Sequence, residues 1–354
     1  VDQDFVVDEG QSREFCSTSG SVAMSIIVDS SGYTYVGFSN GYLKKIHPNG
    51  QSQENFVGPI SACCLAIDNH DNIYFGRGNS GGIKKIKPDG TISTVVNTGQ
   101  IFGIGLDKEN EYLYYVESQD DKVYRLDLLD YTQIEIVCDM RTSSGLPGNP
   151  QDAGVVSYDM HLTDNNVIII QSSRGYLYKI DLNKDNELEF LAGDGGAYDG
   201  GYGSGSGYSM GNGADFKLDQ IWGIASDENN DIYVGSWTHK IIGKITLDGI
   251  GSLIAGSPGN STANYNTSIS NTTLFTPRAL YFRKDTGNLY FCDENGKVAI
   301  MAIRPDTPSS QIVNKIYDNP ILNLYDGMLD NYLENYPAYD FIVDSNDVRY
   351  FTSK

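Results

Sequence analysis

The hydrophobic positions of this chain fall in short bursts, such as MSIIV (24–28), TYVGF (34–38), CLAI (64–67) and IYVGS (232–236), each ending in a cluster of Asp, Asn, Gly or Ser. Apolar residues repeating with a helical period are nearly absent. Short β-branched and aromatic runs bounded by such clusters predict strands joined by tight turns. The strands themselves recur. Six segments align on a strand, a polar turn and a second strand: SIIVDSSGYTYVGFSNGYLKKIHPNGQ, CLAIDNHDNIYFGRGNSGGIKKIKPDGT, GIGLDKENEYLYYVESQDDKVYRLDLLD, YDMHLTDNNVIIIQSSRGYLYKIDLNKD, GIASDENNDIYVGSWTHKIIGKITLDGI and ALYFRKDTGNLYFCDENGKVAIMAIRPD. Four strands in a period of about 40 residues predict propeller blades.

The two ends predict a seventh blade. Residues 338–354, AYDFIVDSNDVRYFTSK, match the first two strands of the unit, and residues 4–17, DFVVDEGQSREFCS, match the last two. Half-blades at both ends would fasten the ring by burying two open sheet edges. The expectation is therefore all-β, one domain over 1–354: a seven-bladed β-propeller with blades near 22–58, 62–98, 101–139, 155–193, 221–255, 278–316 and 338–354 plus 1–17.

Two motifs carry a resemblance to the NHL-repeat propellers that covers essentially the whole chain. One is the turn D-x-x-x-D/G-x-I/L-Y-V/F at Asp29, Asp68 and Asp227, with variants at Asp107 and Asp344. The other is the run LAGDGGAYDGGYGSGSGYSMGNGADFKLDQIWGIASD, similar to that family's Gly-rich linker, with Gln220 and Ile221 where Pro is usual. The fourth and sixth blades lack the turn Asp. The resemblance implies fold and leaves function open. At each turn the repeated Asp is expected to accept hydrogen bonds from nearby backbone N–H groups.

Charge narrows the partners. The formal net charge is −21, so the surface repels nucleic-acid backbones and anionic membranes. No apolar run is long enough to span a membrane. Cys16, Cys63, Cys64, Cys138 and Cys292 form no C-x-x-C pair, and are expected to pack mainly as buried thiols. Cys63 and Cys64, adjacent in one strand, should point to opposite faces.

Connections between blades and turns between second and third strands share one face of a propeller. The connections 140–157, 193–220, 256–277 and 317–337 are long, and loops of that length are commonly functional. They are expected to form a crown carrying contact residues: Tyr198, Tyr202 and Tyr208 in the Gly-rich run, and Tyr332, Tyr336 and Tyr339 later. Exposed Tyr gives rigid amphipathic contact area. Around the channel opening the matching turns place Arg77, Arg174, Trp237 with His239, and Asp293 with Glu294.

Catalytic constellations are sparse. His47, His70, His161 and His239 do not converge in this register, which weighs against the His-rich zinc lyases among related propellers. No H-E-x-x-H, G-x-S-x-G or P-loop occurs. Asp181, Asn183 and Asp185 have the alternating spacing of a calcium loop, but Asn186 replaces its Gly and Ala192 its terminal Glu. No cofactor is expected, with calcium there as the exception. Three N-x-S/T sequons, at Asn260, Asn266 and Asn271, lie in one connection and point to the extracellular space or secretory lumen. The expected function is a non-enzymatic extracellular or cell-surface recognition or scaffold module binding protein or glycan, within a longer chain or assembly. The alternative is a metal-dependent hydrolase or lyase with its site in the channel, resembling the strictosidine-synthase and lactonase propellers.

Overall fold

The computed structural model describes residues 7–17, 22–50, 53–58, 60, 62–77, 81–117, 122–131, 134–140, 146, 157–172, 175–193, 209–218, 220–258, 262–293, 297–303, 340–343 and 349–352. Strand β1 is Gln11–Ser17. Three four-stranded antiparallel sheets follow: β2–β5 (Ala23–Val28, Thr34–Phe38, Leu43–Ile46, Gln53–Val57), β6–β9 (Ala62–Ile67, Ile73–Arg77, Ile83–Ile86, Ile92–Val96) and β10–β13 (Ile101–Leu106, Tyr112–Glu117, Lys122–Asp127, Ile134–Asp139). The fourth is β14–β17 (Ser157–Leu162, Val167–Ser172, Leu177–Asp181, Leu188–Ala192). A short pair, β18 (Ser209–Met210) and β19 (Phe216–Lys217), precedes the fifth, β20–β23 (Ile221–Ser226, Ile232–Ser236, Ile241–Ile245, Gly251–Gly256). The sixth sheet runs β25 (Pro277–Arg283), β26 (Asn288–Asp293), β27 (Lys297–Ala302), then β1, then β24 (Thr267–Ser268). Strands β28 (Asp340–Val343) and β29 (Arg349–Thr352) form a hairpin in a separate compact unit, Arg304–Lys354, distinct from Val1–Ile303.

The blades therefore number six among the described residues, not seven. Of the half-blade predicted from 1–17, the described residues form one strand, β1, whose partner is β27, with Ser12 opposite Met301 and Ser17 opposite Lys297. Phe15 and Cys16 explain the choice. They are buried in a cluster with Tyr290, Cys292 and Val298 of the sixth blade and Ile26 and Val36 of the first. Ser12 adds a buried polar anchor, its hydroxyl donating to the Tyr265 carbonyl and pairing with Thr272 Oγ1 at 2.5 Å.

The inner strands β2, β6, β10, β14, β20 and β25 contact one another in that order, and β25 also lies against β2. Tyr281 on β25 donates its hydroxyl to the Val28 carbonyl at 3.3 Å across that last junction. The repeated glycine after the Tyr-aliphatic pair belongs to these junctions. A Cβ on Gly76 would fall 2.6 Å from an Ile101 methyl, and one on Gly235 2.8 Å from Leu280 of the next blade. The repeated Asp holds its own turn, as expected. Asp227 Oδ1 accepts the Asn229 and Asp231 N–H groups at 2.9 Å each, and Oδ2 accepts the Tyr233 hydroxyl at 3.2 Å. Asp29 and Asp68 repeat the pattern with Tyr35 and Tyr74. The strand tyrosines are thus core residues with one polar tip satisfied. No helix among the described residues is long and apolar enough to cross a membrane.

Candidate functional site

Each inner strand carries one irregularity at an equivalent place. Its pairing with the second strand skips a residue between Ala23 and Ser25, Ala62 and Cys64, Ile101 and Gly103, Ser157 and Asp159, Ile221 and Gly223, and Pro277 and Ala279. The extra residues are Met24, Cys63, Phe102, Tyr158, Trp222 and Arg278. A bulge of this kind leaves one residue out of the ladder and re-aims its side chain. Met24, Cys63, Phe102, Trp222 and Arg278 line a cavity of about 720 Å³ bounded by all six inner strands. That volume lies in the range of small-ligand pockets. The Arg278 guanidinium stacks over the Trp222 ring at 4.3 Å, a planar cation–π contact that fixes both groups.

The bulges sit near the starts of the inner strands. The Trp237 N–H, in the second-to-third-strand turn of the fifth blade, donates to the Gln220 carbonyl just before β20 at 2.9 Å. Ser39 makes the same bond to Val22 in the first blade. The bulged residues therefore surround the channel mouth on the face where turns and inter-blade connections emerge together.

Deeper in the channel stand two titratable groups on β14. Burial pushes the Asp159 carboxyl up to about 7, against the lowering effect of backbone N–H groups of Met160 and Ile224. Burial likewise holds the His161 imidazole down to about 3, helped by the Lys284 cation and opposed by Asp164. His161 Nε2 lies 2.8 Å from Ser226 Oγ, and Lys284 pairs with Asp164 at 2.5 Å. Near neutral pH the wall thus presents an uncharged imidazole and a carboxyl poised between its two forms, the kind of group that can donate or accept a proton.

The sequence-derived candidates divide three ways. Trp237 and His239 are half-buried at the mouth, where the His239 N–H donates to Ser236 Oγ at 3.2 Å. Asp293 occupies its predicted turn but is buried, accepting the Tyr265 hydroxyl at 2.5 Å and the Phe275 N–H at 2.7 Å. It pins a connection and does not line the opening. Arg77 ends β7, with its side chain outside the described set, and Arg174, Glu294, Tyr198, Tyr202, Tyr208, Tyr332, Tyr336 and Tyr339 lie outside the described residues altogether. Of the sequons, Asn266 and Asn271 are exposed and Asn260 is outside the described residues. Asp181 accepts from the Asn183 backbone at 3.0 Å and pairs with Lys184 at 3.1 Å, while Asn186 takes a left-handed φ of 58°. That is a hairpin turn with its carboxylate engaged.

The described parts of two long connections do not stand over the mouth. Asn212 bridges Ile250 and the Gly213 N–H donates to Gly249, while Met210, Phe216 and Leu218 pack on the fifth blade. Residues 262–274 similarly bind the outer edge of the sixth blade, through β24 on β1 and through buried Tyr265 and Leu274. Their apolar side chains find more burial along the blade edges than above the ring. Covering edge strands also removes unpaired backbone groups from solvent.

No group of three or more His, Cys, Asp or Glu side chains that could hold a metal ion is present among the described residues. No protein-family model matches the sequence, and no curated protein aligns with it significantly. Solved structures match in shape. An auxiliary nutrient binding protein from Bacteroides ovatus superposes with a TM-score of 0.65 at 13% identity, over 82% of this chain and 75% of its own. One of the same description from Bacteroides thetaiotaomicron gives 0.64 at 12% identity, over 82% and 75%. Virginiamycin B lyase from Staphylococcus aureus, in a catalytically inactive form with quinupristin, gives 0.52 at 14% identity, over 82% and 98%. The fold is a β-propeller. At such identities the likeness carries fold alone, and what this propeller does rests on its own residues.

Proposed function

We propose that this propeller is a recognition module of the NHL-repeat kind, binding a glycan at the mouth of its channel. The observation that supports this reading is the set of six bulges, which turns one residue from every blade out of the ladder around a single opening. Trp222 and Phe102 offer flat faces for sugar rings, Arg278 offers planar donors, and Asp159 exchanges hydrogen bonds with hydroxyl groups in either protonation state. Trp237 and His239 extend the surface at the rim, and Arg77, Arg174, Tyr198, Tyr202, Tyr208, Tyr332 and Tyr336 are proposed to enlarge it. A protein segment presenting an aromatic or hydroxyl-rich end is the other partner this chemistry accommodates. The reading needs no cofactor. It places the protein outside the cell or in the secretory lumen, with Asn260, Asn266 and Asn271 as glycan acceptors.

Trp222 lines the cavity and Trp237, the other tryptophan of the chain, opens the turn whose N–H is bonded to Gln220 beside it, so intrinsic fluorescence is the readout. Titration with a panel of neutral oligosaccharides should shift the emission, and Arg278→Ala should weaken the response by tenfold or more, as about 2 kcal/mol from an Arg anchor implies. A panel that leaves emission unchanged while an unrelated peptide library shifts it would replace the glycan with a protein partner.

A second reading, as a hydrolase or lyase, is favoured by Asp159, a carboxyl with a raised pKa inside a cavity. The described channel residues do not fit a divalent metal held by carboxylate, imidazole or thiolate side chains, so this reading is one of acid–base chemistry. Turnover of a lactone or glycoside panel that disappears in Asp159→Asn would establish it.

A further inference from the structure

Cys63 and Cys64 are neighbours in one strand, and an unbroken strand would send them to opposite faces. The bulge changes that. Ala62 pairs with Arg77 and Cys64 with Gly76, which leaves Cys63 out of the ladder. Both thiols then turn toward the same atom in the next blade. Cys63 Sγ lies 2.9 Å and Cys64 Sγ 3.8 Å from the carbonyl oxygen of Ile101. Room for the second sulfur depends on Gly76, where a Cβ would come within 2.7 Å of Cys64 Sγ. Both residues line the channel cavity, Cys63 half-buried and Cys64 buried, and both are free thiols.

The geometry points to a vicinal dithiol site on the channel wall, in which Cys63 and Cys64 together take a thiophilic ligand of the trivalent-arsenical class. Two As–S bonds form and two As–OH bonds break, and each thiol proton leaves with a hydroxide as water. No oxidation state changes. Burial and the adjacent Cys63 thiol raise the Cys64 pKa well above its ordinary value, which disfavours a bare thiolate and hence a simple cation. An arsenical that departs with two waters needs no stable thiolate beforehand. The Ile101 carbonyl, freed of its S–H donors, remains as a nearby oxygen beside the third position.

The other cysteines supply the controls. Cys16 and Cys292 share one core cluster and are buried, as is Cys138, so the folded protein shields them. The experiment exposes the folded chain to phenylarsine oxide, then to excess monothiol, and measures intact mass. A monothiol strips arsenic from single cysteines, whereas release from a pair requires a competing dithiol. Wild type and the Cys16→Ser/Cys292→Ser double variant should each retain one adduct that dithiothreitol removes, and Cys63→Ser and Cys64→Ser should each lose it. Thermal melts establish that each variant is folded; should Cys64→Ser unfold, the half-buried Cys63→Ser decides alone. Retention of the adduct by folded Cys63→Ser, or no retained adduct on the wild type, overturns the assignment.

Discussion

Replacing Asp159 by Asn should add a pH dependence of stability that cancels within the Asp159–His161 pair of the wild type. The carboxyl rises from 3.8 to about 7 on folding and the imidazole falls from 6.5 to about 3. Between pH 3.8 and 6.5 the folded state keeps a proton on Asp159, while the unfolded chain keeps one on His161. Taken singly, Asp159 contributes stability that is present at low pH and lost as pH rises through about 7. His161 contributes stability that is present above 6.5 and lost as pH falls toward 3. Inside the shared window the proton counts match, so the pair adds no slope. Asp159→Asn removes the folded-state proton and leaves the His161 term alone, so stability relative to wild type climbs by up to about 1.4 kcal/mol per pH unit. Across the window that limit amounts to about 4 kcal/mol. Both side chains face channel water, which screens the effect, and about 2 kcal/mol is the expected change. His161→Gln should tilt the other way. Urea unfolding at closely spaced pH values between about 4.5 and 6.5, with wild type as reference, measures the difference directly. Parallel stability curves for wild type and Asp159→Asn would refute the buried-pair reasoning.

Four further outcomes can be measured. Deleting residues 1–17 should strip the outer strand from β27 and leave Tyr290 and Val298 uncovered, giving aggregation or a broadened melt in light scattering and calorimetry. Asp227→Ala should lower stability by about 3 kcal/mol, since two backbone N–H groups and the buried Tyr233 hydroxyl lose their acceptor; denaturant titration reads it, with Asp68→Ala in parallel. Gly235→Val should cost about 1–3 kcal/mol through the clash with Leu280, whereas shortening 198–207 to a brief Gly-Ser link should leave the melting temperature nearly unchanged, because closure entropy varies slowly with loop length.

Much of the architecture was legible in the sequence for a local reason. Strand, Asp turn and Tyr-aliphatic-Gly are each determined within a few residues, so every blade advertises itself separately. Blade number was not legible, because β1 resembles a generic outer strand and several sheets could accept it. What selects β27 is the distant placement of Tyr290, Cys292 and Val298, with no trace in the local pattern of 11–17. The bulged residues that line the channel were missed for a related reason. Met24, Cys63, Phe102 and Trp222 read as ordinary core positions in alternating strands, and only the bulge turns them aside. Aligning the six units at that single position shows Met, Cys, Phe, Tyr, Trp and Arg, a column too varied for a packing position. That variety was the available signal. The described parts of two connections lie along blade edges because of apolar residues, Met210, Phe216, Tyr265 and Leu274, that surrounding Gly, Ser and Asn outweigh in the sequence.

The pairing of β1 with β27 also bears on how the protein acquires its structure. Ser12 meets Tyr265 across 253 residues of sequence, and β27 lies farther along still. As the chain is synthesised, β1 emerges early and waits, unpaired, while five complete sheets are made after it. Such long-range pairing slows the last step of assembly, since the entropy of bringing distant segments together comes before any contact that rewards it. Meanwhile the Phe15–Cys16 segment is exposed, an unpaired strand able to join the sixth blade of a neighbouring copy. Folding yield should therefore fall with concentration more steeply than for a propeller whose last blade is built from consecutive strands, and the loss should appear as exchanged oligomers retaining native blades.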